Sequence, residues 1–253
     1  MIKSVKDAKN VSAVLVRIES PGGTVTGSEA LHESLLALSA SKPTVAVIDG
    51  AAASGGYIAA MGTERIFARQ TSLVGSIGVL FQYPNVGKLM ETLGVKLEEI
   101  KSSPLKAAPN AFEPASPEAR AALQAVVNDN YDWFKRMVRD RRRMNDAEWA
   151  AVTDGKVHSG TRAATLRLID QVGGEAEARA WLASEKKISA DLTIRDWRRK
   201  SETDRLGLWS VSESLARAAG LDTLATIIAR AAVMPEGLQL DGALALWQPP
   251  VER

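Results

Sequence analysis

Thr44-Val45-Ala46-Val47-Ile48-Asp49-Gly50-Ala51-Ala52-Ala53-Ser54-Gly55-Gly56-Tyr57-Ile58-Ala59-Ala60-Met61 is the stretch that decides how this chain folds. Its first five residues are a β-branched, apolar run and predict a buried strand. Tiny residues follow, and Tyr57 to Met61 carries an apolar helical pattern. A strand, a tight turn and a helix start are therefore gathered around one hydroxyl, that of Ser54. Gly55 and Gly56 let the backbone approach a ligand closely, and their N–H groups can face a developing negative charge. That is the chemistry of a nucleophile with half an oxyanion hole. The same small residues also suit a turn that merely packs tightly, and this stretch alone leaves both readings open.

Outward from it, the pattern repeats upstream. Residues 11–18 read as another buried strand, Ser20-Pro21-Gly22-Gly23 breaks it, and residues 28–39 read as a helix with Leu31, Leu35 and Leu38 on one face. Two successive strand–turn–helix units imply parallel neighbouring strands with both turns at the same carboxyl edge. Gly22-Gly23 and Ser54-Gly55 should then meet in space.

Downstream, short strands are expected at 65–68, within 72–80, at 97–101 and at 168–170, with a helix over 86–93. Ser116-Pro117-Glu118 opens a long helix running to about Met144, with Leu123, Val127, Tyr131, Phe134 and Val138 as its inner stripe. Shorter helices are expected at 146–152, from 159 and over 175–185. The arginine-rich stretch 139–143 reads as a solvated helix end, and Trp133, Trp149 and Trp181 as core or boundary residues. Past residue 187 a charged linker leads to a helical, small-residue stretch at 209–234. The expected division is a domain over 1–187 and a partly helical extension over 188–253.

Composition narrows the chemistry. A net charge of +2 gives no nucleic-acid footprint. Without cysteine there is no disulfide, thiolate metal site or cysteine nucleophile. The two histidines, His32 and His158, disfavour both a histidine metal site and a histidine-based triad, since His32 reads as a helix boundary residue and His158 as structural. No apolar run reaches the ~18–20 residues of a membrane span. Lysine can replace histidine as the base only when neutral. Bringing its pKa from ~10.4 to ~7–8 takes roughly 4 kcal/mol of differential stabilisation, which an apolar pocket can supply. Lys106, in the apolar loop Pro104-Leu105-Lys106-Ala107-Ala108-Pro109, is the candidate.

Ser20-Pro21-Gly22-Gly23, Ala52-Ala53-Ser54-Gly55-Gly56-Tyr57, Val74-Gly75-Ser76-Ile77-Gly78-Val79, Ile100-Lys101-Ser102 and Asp154-Gly155-Lys156-Val157 occur in this order. Together they resemble the bacterial signal peptide peptidase A (protease IV) family of Ser/Lys proteases, over about residues 11–185. The resemblance implies a ClpP/crotonase-type α/β fold, a spiral of βαβ units, here with a C-terminal helical extension. It matches Ser54 to the nucleophile, Lys106 to the general base, and Ser76 to the hydroxyl that positions the lysine amine. The N–H groups of Gly23 and Gly55 match the oxyanion hole. It further implies peptide substrates such as cleaved signal peptides, no cofactor or metal, and homo-oligomeric rings in which neighbouring subunits complete each site. Family members carry a membrane anchor and an initial strand ahead of the segment that begins here, and act at the outer face of the bacterial cytoplasmic membrane. Two other readings share some of these features: a crotonase-like acyl-CoA enzyme, and a non-catalytic scaffold.

Overall fold

A computed structural model describes residues 1–189 and 191–197; the expected helix at 209–234 and the rest of the tail lie outside them. Residues Ile2–Thr193 form one compact unit. In chain order it contains α1 (Ile2–Asp7), β1 (Val14–Ser20), α2 (Val25–Ser39), β2 (Thr44–Ala53), α3 (Gly55–Met61), β3 (Arg65–Ala68), β4 (Leu73–Gly75) and α4 (Gly87–Thr92). The remainder is α5 (Pro117–Arg142), α6 (Asp146–Ala150), β5 (Val157–Ser159), α7 (Gly160–Thr165), β6 (Gln171–Val172) and α8 (Glu175–Lys186). The class is mixed α/β, as the alternation of strands and helices predicts.

The axis is β2. Its first half lies between β1 and β3, parallel to both, in registers running from Val14↔Thr44 to Ile18↔Ile48 and from Val45↔Arg65 to Ile48↔Ala68. Its last residues pair instead with β4, Ala51↔Leu73 through Ala53↔Gly75, while the β1 register shifts between Ile18 and Ser20. β6 adds to β3 in parallel, and β5 adds to β4 antiparallel. One strand thus serves two sets of neighbours. Its end delivers Ser54 to the edge where β1 and β4 also finish.

Residues 44–48 are fully buried, as a parallel strand covered on both faces must be. Alternate side chains go to opposite layers. Val45 and Val47, with Phe67 of β3, pack against Ala178 and Leu182 of α8. Ala46 and Ile48, with Ile66 and Ala68, pack against Tyr57 and Met61 of α3 and Phe134 and Val138 of α5.

The long helix begins as expected: Ser116 caps it, its side chain accepting the Ala119 N–H, with Pro117 in the first turn. Phe134 and Val138 are buried, whereas Leu123 and Val127 are half-buried. Of its arginine-rich end, Arg139, Asp140 and Arg143 are exposed as expected, but Arg141 and Arg142 are partly buried. Arg141 turns inward and donates through Nε to Met61 O and through one Nη to Thr63 O and Glu64 O. Arg142 pairs with Asp170 at 3.0 Å, and the same carboxylate accepts the Ile66 N–H. A fixed cation beside the last carbonyls of α3 complements that helix end. These contacts fasten α5 to the helix that follows Ser54.

Three local expectations are corrected. Residues 97–101 form no strand, because no neighbouring strand offers its backbone a ladder. The extended piece over 72–80 keeps ladder pairing only at Leu73–Gly75. The edge strand expected at 168–170 falls at Gln171–Val172, since Leu168 and Ile169 serve as buried core residues. Among the described residues no helix is long and apolar enough to cross a membrane.

Candidate active site

Ser54 follows the last residue of β2 and caps α3 with φ 49° and ψ −115°. A positive φ at a residue with a side chain is strained, of order 1–3 kcal/mol, and persists only where its surroundings enforce it. Here they do. The Ser54 N–H is bonded to Gly75 O at 2.8 Å, and Ser54 O accepts from Tyr57 N–H and Ile58 N–H at 2.9 and 3.0 Å. Tyr57 is anchored in turn, its hydroxyl donating to Leu168 O at 2.7 Å. Burial pushes that phenol well above its usual range, so it remains neutral. The side chain of Ser54 is only partly buried.

The two glycine turns do meet. Gly22 has φ +141°, and a Cβ placed on it would lie 3.3 Å from Ser54 Cβ. A Cβ on Gly55 would lie 3.0 Å from the Gly23 nitrogen, which puts these two residues against each other. Among the described residues neither the Gly23 nor the Gly55 N–H has a hydrogen-bond acceptor. Gly55 is buried, where almost all N–H groups are bonded, whereas Gly23 is exposed and its N–H is open to solvent. Beside a strained, accessible hydroxyl the two N–H groups form a potential anion receptor.

Ser54, Gly23 and Gly55 line a small cleft whose remaining wall is mostly apolar, from Ile58, Val79, Trp133 and Phe134. Ser76 lies at the same edge, directly after the β4 residue that holds Ser54. It too has positive φ, 53°, and its N–H donates to Lys156 O at 2.8 Å. Strand order and turn geometry thus bring Gly23, Ser54 and Gly55 together at one cleft, while Ser76 follows Gly75 at the same edge without lining it.

Lys106 is the exception. It is exposed, lies in a turn closed by Lys106 N–H to Ser103 O, and does not line the cleft. Among the described residues no side chain is within hydrogen-bond distance of Ser54 Oγ, and Lys106 Nζ has no ion-pair partner. The neighbouring Lys101 differs sharply. Its ammonium is paired with Glu99 and Glu113, which hold its pKa above the ordinary lysine range, Glu99 more strongly. Of the two, only Lys106 is uncommitted. The segment carrying both exposes Leu80, Leu93, Leu97, Ile100 and Leu105.

Of the two histidines, neither approaches Ser54 Oγ as a base. His32 Nδ1 makes a 2.9 Å bond to Ile58 O, at the boundary between α2 and α3. His158 packs behind β4, its Cδ2 3.4 Å from the point a Gly75 Cβ would occupy, and its Nε2 is buried without a partner. Burial lowers its pKa; Asp154 opposes this, and Arg162 and Lys156 reinforce it. The unfolded chain, with an ordinary value of 6.5, binds the proton first on acidification. Stability present above that pH is therefore lost as pH falls below it. Replacing His158 with Phe removes the unpaired nitrogen and should stabilise the fold by about 1 kcal/mol. Its melting midpoint should rise by about 2–4 °C near neutral pH, and by more at about pH 5. An unchanged acid dependence in that variant would sink the assignment.

The profile of peptidase family S49 matches residues 37–189. A protein of Synechocystis sp. assigned by name to the proteases is 36% identical over 190 residues, covering 75% of this chain and 68% of that one. An Enterococcus faecium protein assigned by name to signal peptide peptidase SppA is 31% identical over 198 residues, 78% of this chain and 57% of its own. Protease 4 of Salmonella typhi is 31% identical over 188 residues, 73% of this chain and 30% of that protein. The chain thus spans from about two thirds to under a third of the length of these relatives.

Proposed function

The chain belongs to peptidase family S49, and from that premise we propose that it is a serine endopeptidase acting through Ser54 and Lys106. The observation that carries the reading is the strained Ser54 hydroxyl set beside two unpaired backbone donors, Gly23 and Gly55. Ser54 Oγ attacks the scissile carbonyl carbon while its proton passes to the neutral Lys106 amine. The Gly23 and Gly55 N–H groups hold the oxyanion of the tetrahedral intermediate. Lysine then returns the proton to the departing amine, leaving an acyl group on Ser54. A water molecule, deprotonated by the same lysine, attacks the acyl carbon, and the lysine returns that proton to Ser54 Oγ as the acyl–oxygen bond breaks.

The base arrives from a neighbouring copy in this account. Two features support that: Lys106 is uncommitted and away from the cleft, and its segment exposes a row of large apolar side chains that monomeric proteins usually cover. Docking of a second copy would bury those residues and bring its lysine to Ser54, with Ser76 beside it to orient the amine. The fold is then the ClpP/crotonase spiral, and the apolar wall of the cleft suits extended apolar peptides such as cleaved signal peptides, bound main chain first. An acyl-CoA enzyme of the same fold would need the backbone donors but not a strained serine.

The test is hydrolysis of a fluorescence-quenched apolar peptide by the assembled protein. Wild type should turn over, and Ser54→Ala should fall about 10⁴-fold or more, to background. Equal rates for the two would remove Ser54 from the mechanism.

A further inference from the structure

Among the buried polar side chains of the described residues, Ser28 alone lines the cleft beside Ser54. It lies in the first turns of α2 and is 8% exposed. Its hydroxyl donates to Thr24 O at 2.8 Å. That back-bond does little for the helix, which alanine would suit better. The same oxygen also abuts the glycine turns: a Cβ on Gly55 would fall 2.2 Å from Ser28 Oγ, and one on Gly23 would fall 3.7 Å from it. Ser28 Oγ is thus wedged against Gly55 at the point where the β1–α2 and β2–α3 turns touch.

We propose that Ser28 is a positioning residue: its hydroxyl is the spacer that sets the separation and aim of the Gly23 and Gly55 amides. The proposal rests on the reading of those amides as the oxyanion receptor. Removing the oxygen leaves the Gly55 turn without its contact on one side, and a packed turn relaxes toward such a gap. The amides then no longer converge on one point, and transition-state binding suffers while substrate binding does not.

The experiment compares Ser28→Ala and Ser28→Thr with wild type in peptide hydrolysis, thermal unfolding and 1H–15N amide spectra. For Ser28→Ala, kcat should fall about tenfold or more with KM within about twofold, since small misplacements of catalytic groups cost rate disproportionately. Its melting midpoint should hold or rise. Ser28→Thr, which keeps the hydroxyl, should recover most of kcat. Loss of kcat only in step with a falling midpoint would make Ser28 a packing residue and overturn the proposal, as would unchanged kcat. If wild type does not hydrolyse peptides, the catalytic reading fails by itself. The spectra then decide on the spacer: the Gly23 and Gly55 cross-peaks should move in Ser28→Ala and not in Ser28→Thr, and cross-peaks that stay put would refute it.

Discussion

Replacing Gly55 with alanine should reduce peptide hydrolysis by at least about 10²–10³-fold, the range seen when one oxyanion donor is lost. The new Cβ would sit 2.2 Å from Ser28 Oγ and 3.0 Å from the Gly23 nitrogen. The first is a distance that real Cβ atoms essentially never show, and the second is tighter than nearly all of them, against backbone that cannot rotate away. The turns must separate, and both amides leave their common target. Gly23→Ala makes the contrast. Its Cβ would meet only Ser28 Oγ, at an ordinary 3.7 Å, and its N–H is retained. That variant should keep activity within about tenfold of wild type. Rates measured side by side, with circular dichroism to establish folding, check the pair. Equal losses in the two would mean that simple crowding, not the Gly55–Ser28–Gly23 junction, governs the site.

The second large effect concerns the base. Lys106→Ala and Ser54→Ala should each be inactive alone. Refolded together in equal amounts, they should regain about a quarter of wild-type activity, because a site needs an intact serine from one copy and an intact lysine from its neighbour. Random assembly supplies that combination one time in about four. The prediction follows from Lys106 lying outside the cleft while Leu93, Leu97 and Ile100 of its segment stand exposed. Co-refolded chains that assemble yet remain inactive would place both partners of the dyad within one chain.

Much of this arrangement is legible in the residues. The β-branched run before Ser54 and the glycine pairs after both early strands define two parallel units, and their shared edge follows from connection geometry alone. Registers from Val14↔Thr44 to Ile18↔Ile48 bear that out. The Ser116 cap is equally local and equally readable. What escapes is what depends on distant partners. Leu97-Glu98-Glu99-Ile100 alternates like a strand, but alternation without a neighbouring strand leaves the backbone unpaired. Arg141 and Arg142 belong to a charge run that normally faces water, and only the approach of α3 and Asp170 turns them inward. The positive φ of Ser54 is held in part by the bond of its amide to Gly75 O, a contact between residues far apart in the chain. Ser28 carries one signal that could have been used: a serine at a helix position that alanine would fill better, four residues after the N-cap that follows a glycine pair. The expectations for 198–253 fall on residues outside the described structure.

The most direct test of the central claim is covalent labelling with a fluorophosphonate probe, with the modified residue located by peptide mass spectrometry. The account predicts a single adduct on Ser54, forming faster as pH rises and a lysine amine loses its proton. It predicts no adduct in Ser54→Ala and a greatly slowed one in Lys106→Ala. A folded, assembled wild-type chain that takes no label, or takes it at a serine other than Ser54, would contradict it.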